Sequence, residues 1–197
     1  EDAHGASFGN AGAFAFSDVM PLASPGILRK APRWLLDPLG PLSVPPAYLP
    51  TIAPWLFRFW HASRPTAFAT SFAAQVAMME LASTETRRLI AAAGLDAMLR
   101  SDGALELYES RAEFEASLGA WQAREAAGIA CRHLDAAGIA QLQPGLSPRF
   151  THGTFVPGWQ SIADPYDYAR ALADRVVERG GRIVRAEVRG LAPARDA

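Results

Sequence analysis

Half of the 197 residues are apolar and a fifth are charged, a composition that excludes a disordered segment and leaves enough length for a hydrophobic core. Nineteen basic against twenty acidic residues give a net charge of -1, which excludes nucleic acid as the main partner, because phosphate binding needs a clustered basic surplus. No run approaches the roughly 20 apolar residues of a spanning helix, and Glu1 and Asp2 stand where a secretory leader would be basic, so neither a span nor a leader is expected.

The segment from Gly5 to Ala13 holds three glycines, three alanines, a serine and an asparagine in nine positions. Main-chain N–H groups in such a stretch can approach a ligand closely, and a helix following it would offer its positive end to an anion. A flexible surface loop is the plainer alternative. Ten of the fifteen prolines then fall between Pro21 and Pro65, so this span reads as loops joining short helices, Leu28 to Leu36 and Trp55 to Ala62. Tyr48, Trp55, Phe57, Phe59 and Trp60 crowd its second half, and Trp34 lies near Arg29, Lys30 and Arg33. The cluster suits a lid or a membrane-facing patch, or else a packed cover over the core.

From Thr66 to Ala93 the chain carries neither proline nor glycine. Thr66 is placed to cap a helix and Gly94 to end it. Phe68, Phe72, Val76, Met79, Leu89 and Ile90 recur at helical spacing, as one long helix or two broken near Ser83, with Met78 and Met79 filling the core. A strand over 103–108 and a helix over 111–127 follow. A second strand covers 130–134, and Asp135 caps a helix running toward Leu142. The third strand spans 150–156. Asp164 and Pro165 open a helix to Glu178, Gly180 and Gly181 stop it, and 182–191 reads as a last strand. Alternating helix and strand give an α/β or α+β fold.

Ser7-Phe8-Gly9-Asn10-Ala11-Gly12 resembles the S-x-x-N-A-G loop of the FAD-dependent amino-acid oxidoreductases, the group of D-amino-acid dehydrogenase, glycine oxidase and sarcosine oxidase. The resemblance continues through Ala23-Ser24-Pro25-Gly26, Gly40-Pro41-Leu42, Pro54-Trp55-Leu56, Asp164-Pro165 and Gly180-Gly181 leading to Ala186-Glu187-Val188, and it is strongest to the bacterial dehydrogenase branch. It implies a partial FAD-binding layer interleaved with a mixed-sheet and helical substrate domain. Residues 1–25 and 161–197 would belong to the FAD layer and 26–160 to the substrate domain. No G-x-G-x-x-G fingerprint is present, so the chain is expected to be an incomplete piece that binds FAD weakly or not at all.

Carried over by position, the family's FAD contacts fall on Ser7, Phe8, Gly9, Asn10, Ala11, Gly12 and Ala13, with Val188 at the strand position whose backbone meets the adenine. Glu1 and Asp2 sit too close to Ser7 to bind the ribose. Phe14 and Phe16 are candidates for lining the substrate pocket near the flavin, against simple core packing. The resemblance implies oxidative deamination of D-amino acids or related amines, with an amino-acid substrate, quinone or another electron acceptor, and a cytoplasmic protein peripheral to the inner membrane. The carboxylate-clamping arginine of the family falls beyond Ala197, so no catalytic residue is assigned. The alternatives are a flavin-dependent 2-hydroxy-acid dehydrogenase and a non-catalytic module docking on a membrane or protein.

His4, His61, His133 and His152 show no metal-ligand spacing, so no metal site is expected. His152 is a candidate on the substrate side, or a plain strand histidine. The single cysteine, Cys131, is expected to be a small apolar residue, with Arg132 and His133 pointing away from it on alternate strand faces. No G-x-S-x-G elbow supports a serine hydrolase.

Overall fold

The computed structural model describes residues 5–27 and 45–192. The helix expected over 28–36, the segment Gly40-Pro41-Leu42, Trp34 with its basic neighbours, and His4 lie outside them. Two three-stranded sheets organise the rest. One has the order β1 (Ala13–Phe14), β6 (Gln160–Ile162), β2 (Leu99–Arg100), the other β3 (Ala104–Tyr108), β5 (His152–Val156), β4 (Arg132–Asp135). Every pairing among the described residues is antiparallel, where a mixed sheet was expected. The helices are α1 (Leu49–Ala62), α2 (Pro65–Ala93), α3 (Arg111–Ala126), α4 (Ala136–Leu142) and α5 (Pro165–Glu178). This is the expected combination of helices and sheets.

Local chemistry explains most boundaries. Ser110 accepts from the Glu113 amide while the Glu113 carboxylate accepts from the Glu109 amide, a reciprocal cap at the start of α3. Asp135 accepts from the Gly138 amide, and Asp164 accepts from those of Tyr166 and Asp167. The expected cap at Thr66 is not used. Pro65 forces Arg64 into extended backbone (φ -66°, ψ 145°), so the helix boundary falls there, with Pro65 inside the first turn. The helix passes Ser83 unbroken for 29 residues and ends at Gly94 in the left-handed region.

The buried cluster of Ile90, Ala93, Leu95 and Ile162 joins the end of α2 to β6, and Phe14, Leu99, Tyr168 and Leu172 pack against it. Two arginines of α5 tie the same corner. Arg175 Nε donates to the Ala93 carbonyl at 2.9 Å, and an Arg179 terminal nitrogen donates to that of Ala92 at 2.7 Å. These carbonyls belong to the last turn of α2, where no helical N–H is available to them. Over the second sheet, the Trp121 indole N–H donates to the Tyr108 hydroxyl at 2.7 Å, which donates in turn to Glu106 at 2.8 Å. Burial pushes the Tyr108 hydroxyl above its ordinary value, and its contact with Glu106 adds to the rise.

Three further expectations fail. Residues 182–191 form no strand, since a strand persists only where its N–H and C=O groups find a ladder, and neither sheet pairs with them. Met78 is 67% exposed rather than in the core. Helix α1 buries none of its residues, and Trp55, Phe57 and Trp60 stand exposed, so no packed cover over the core is formed among the described residues.

The corner where α2 meets β6 is expected to dominate stability. Ile90→Ala, at a side chain almost wholly buried, should cost about 2–4 kcal/mol in urea unfolding.

Candidate cofactor-binding loop and adjoining cleft

The small-residue loop lies across the start of α5. Its chain runs through turns at 5–9 into β1, so a strand, not a helix, follows it. Asn10 Oδ1 accepts the Gly12 amide at 3.0 Å, and the Gly12 carbonyl accepts the Ile162 amide at 2.8 Å. Gly12 has φ 70°, and a Cβ there would collide with the Ile162 carbonyl and meet Pro165. Gly9 has φ 71°, and nothing lies within 4 Å of where its Cβ would stand. The two glycines therefore serve different ends. Gly12 lets the loop press on β6, while Gly9 turns the chain beside open space. Phe8 packs edge-on against Tyr166 at 5.8 Å, tying the loop to α5.

The start of α5 is a poor place for a pyrophosphate. Asp164 fills the first amides and Asp167 adds a second acid in the first turn. The loop itself carries small residues and no acid. Ser7 is half-buried, whereas Phe8, Gly9, Asn10, Ala11 and Ala13 are exposed along one shelf. Val188 is 80% exposed and lies in no strand, so it is not the ladder residue expected.

Phe14 and Phe16 stack at 5.6 Å but divide in role. Phe14 packs on the core cluster. Phe16 lines a cleft of about 580 Å³ together with Val76, Met79, Glu80 and Arg87 of α2, the 127–130 turn, and Val156. Positions 76, 79, 80, 83, 84 and 87 all face this cleft, a spacing of one helix face from which sequence reading had assigned Met79 to the core. Arg87 and Glu80 were not singled out there. Arg87 Nε donates to Gln160 at 3.0 Å, and the Gln160 amide donates to Ser101 at 2.9 Å, which ties the cleft rim to β6.

His152 stacks on Phe114 at 5.1 Å and shares a hydrogen bond with Thr151, a structural setting at the edge of β5. Cys131 and His133 share a face of the β4 segment, contrary to expectation, because residues two apart alternate back to the same side. Arg132 between them lies over the Phe155 ring instead. The Cys131 thiol donates to Glu125 at 3.2 Å. Burial, then the contact with Glu125, pushes it up to about 11.

A family model described as FAD dependent oxidoreductase matches residues 1–197. The chain is 36% identical over 192 residues to a D-amino-acid oxidase of Bradyrhizobium diazoefficiens, covering 94% of this chain and 44% of that protein. It is 30% identical over 158 residues to a D-amino acid dehydrogenase of Rhodopseudomonas palustris, covering 80% and 37%. In fold it is similar to the crystal structure of glycine oxidase from Geobacillus kaustophilus, with a TM-score of 0.51 at 17% identity over 91% of this chain and 36% of that one. The chain thus spans less than half the length of the curated relatives it matches.

Two measurements probe this geometry. Gly12→Ala should cost about 2–3 kcal/mol in urea unfolding, against about 1 kcal/mol for Gly9→Ala, because only the first adds a collision to the left-handed strain. Equal costs would contradict the packing of the loop on β6. At pH 8, Cys131 should react with a thiol reagent at least about tenfold more slowly than free cysteine, because a raised thiol is thiolate-poor there, with the rate climbing toward pH 11.

Proposed function

This chain belongs to the family of FAD-dependent oxidoreductases, and from that premise we propose that the protein oxidatively deaminates D-amino acids or related amines. The observation that carries the reading is the family match over all 197 residues, with the loop from Ser7 to Ala13 presented as an open shelf. Bound there, FAD supplies the acceptor for a hydride leaving the substrate's Cα.

The chain's own residues orient and shield. The Ser7 hydroxyl and the main chain around Gly9 hold one side of the cofactor, while Gly12 and Phe8 fix the shelf to β6 and α5. Ala11 and Ala13 add no bulk to it. Phe16, Val76 and Met79 give the neighbouring cleft an apolar wall beside the polar Glu80 and Arg87, a contribution of positioning more than of acid–base chemistry. Val188 is retained as an adenine-side contact through its backbone, which its exposure leaves accessible.

The pairing of β1 with β6 supports assigning residues 1–25 and 161–197 to the cofactor layer and the intervening residues to the substrate side. No helix among the described residues is long and apolar enough to cross a membrane. The exposed Trp55, Phe57 and Trp60 of α1 support peripheral contact with a membrane, and on this reading the enzyme is cytoplasmic, touches the inner membrane and passes electrons to a quinone.

Protein carrying this sequence, reconstituted with FAD and given a dye as electron acceptor, should reduce the dye with D-alanine and not with L-alanine. Reduction by lactate alone would replace this reading with 2-hydroxy-acid oxidation. No reduction by any of the three would overturn it.

A further inference from the structure

Glu125 near the end of α3, Cys131 just before β4 and His133 within it bring one carboxylate oxygen, one sulfur and one ring nitrogen within 4.8 Å of one another. Among the described residues this is the one such convergence of soft and borderline ligands. We propose that these three side chains form a Zn²⁺ site with a fourth position open to water.

The ligand chemistry fits that ion. Thiolate, imidazole and carboxylate together favour zinc over magnesium or calcium, which prefer oxygen alone. The geometry is supported from behind as well. Nδ1 of His133 is hydrogen-bonded at 2.9 Å to Oγ1 of Thr154, a residue directly opposite it in the β4–β5 ladder and completely buried. Such a partner fixes the ring plane, as outer-shell hydrogen bonds do for metal-bound histidines. The Phe114 ring stands edge-on to the same imidazole at 5.1 Å. Glu125 and His133 are exposed and Cys131 is partly so, which gives an ion entry from solvent.

Two cations adjoin the ligands in sequence, and both have other partners. The Arg124 guanidinium stands 4.7 Å from the Trp121 ring and 3.7 Å from Asp18, and that of Arg132 lies over the Phe155 ring. In the metal-free chain the thiol proton already points at Glu125. On binding, the S–H bond breaks, a sulfur–zinc bond forms, and the proton leaves to solvent by way of the Glu125 carboxylate. No electrons are exchanged. One proton is therefore released per ion bound.

The test is titration of the purified chain with Co²⁺, followed by competition with Zn²⁺. Because Cys131 is the single cysteine, a near-ultraviolet thiolate-to-cobalt band reports ligation at this site alone. The expected result is one ion per chain, a band displaced by Zn²⁺, and affinity at least about tenfold weaker in His133→Ala, whose thiol is intact. Glu125→Gln serves as the second variant should circular dichroism show His133→Ala unfolded, and it should weaken binding likewise. Absence of the band, two chains per ion, or a variant that folds and binds within about twofold of the parent would overturn the site.

Discussion

Three residues, Gln160 to Ile162, hold the molecule's functional corner together. Strand β6 is paired on one edge with the end of the small-residue loop and on the other with the segment that follows α2. The Ile162 amide is bound by the Gly12 carbonyl, its own carbonyl leaves no room for a Cβ on Gly12, and its side chain is buried against Ile90 and Leu95. One short strand therefore fixes where the loop lies, where α2 ends and where α5 begins. That is possible because Asp164 caps α5 two residues later, so the chain leaves β6 and turns directly into the helix.

From this corner follows the division between shelf and cleft. The loop's exposed side is free of large groups apart from Phe8, which the Tyr166 ring holds aside. At the end of β1 the two phenylalanines part: Phe14 locks the loop to the core and Phe16 lines the cleft against α2. A long helix such as α2 is then more than a packing element. It gives its buried end to the core and its middle to the cleft, and the two arginines of α5 hold that end in place. Orientation of cofactor and substrate by rigid elements is the contribution a flavoprotein scaffold is expected to make.

The elements most legible in the sequence were those written in local chemistry. The caps at Asp135 and Asp164, the stop at Gly94, and the helix from Pro165 to Glu178 emerge where short-range rules place them. The two-residue strands β1 and β2, and three-residue β6, were not foreseen, because so few residues carry no readable alternation and exist only through their partners. The same reason, reversed, undid the strand expected at 182–191: its residues suit a strand, yet no ladder reaches them. Arg87 and Glu80 were hidden within a helical periodicity that looks alike whether the face meets a core or a cleft. Glu125 and Cys131, six residues apart across a turn, match no ligand spacing, and only the return of the chain into β4 brings them together.

Composition and the order of prolines and caps determined by themselves that this chain is globular and built of helices and sheets, because those features act over a few residues at a time, while the loop from Ser7 to Gly12 carried the resemblance to FAD-dependent oxidoreductases. The tertiary structure alone decided which glycine serves packing and which stays open, which phenylalanine faces the cleft, and which side chains meet around Cys131. Each of those depends on contacts between segments far apart in the chain, where the free energy lies in burial and in paired backbone groups that no local pattern encodes.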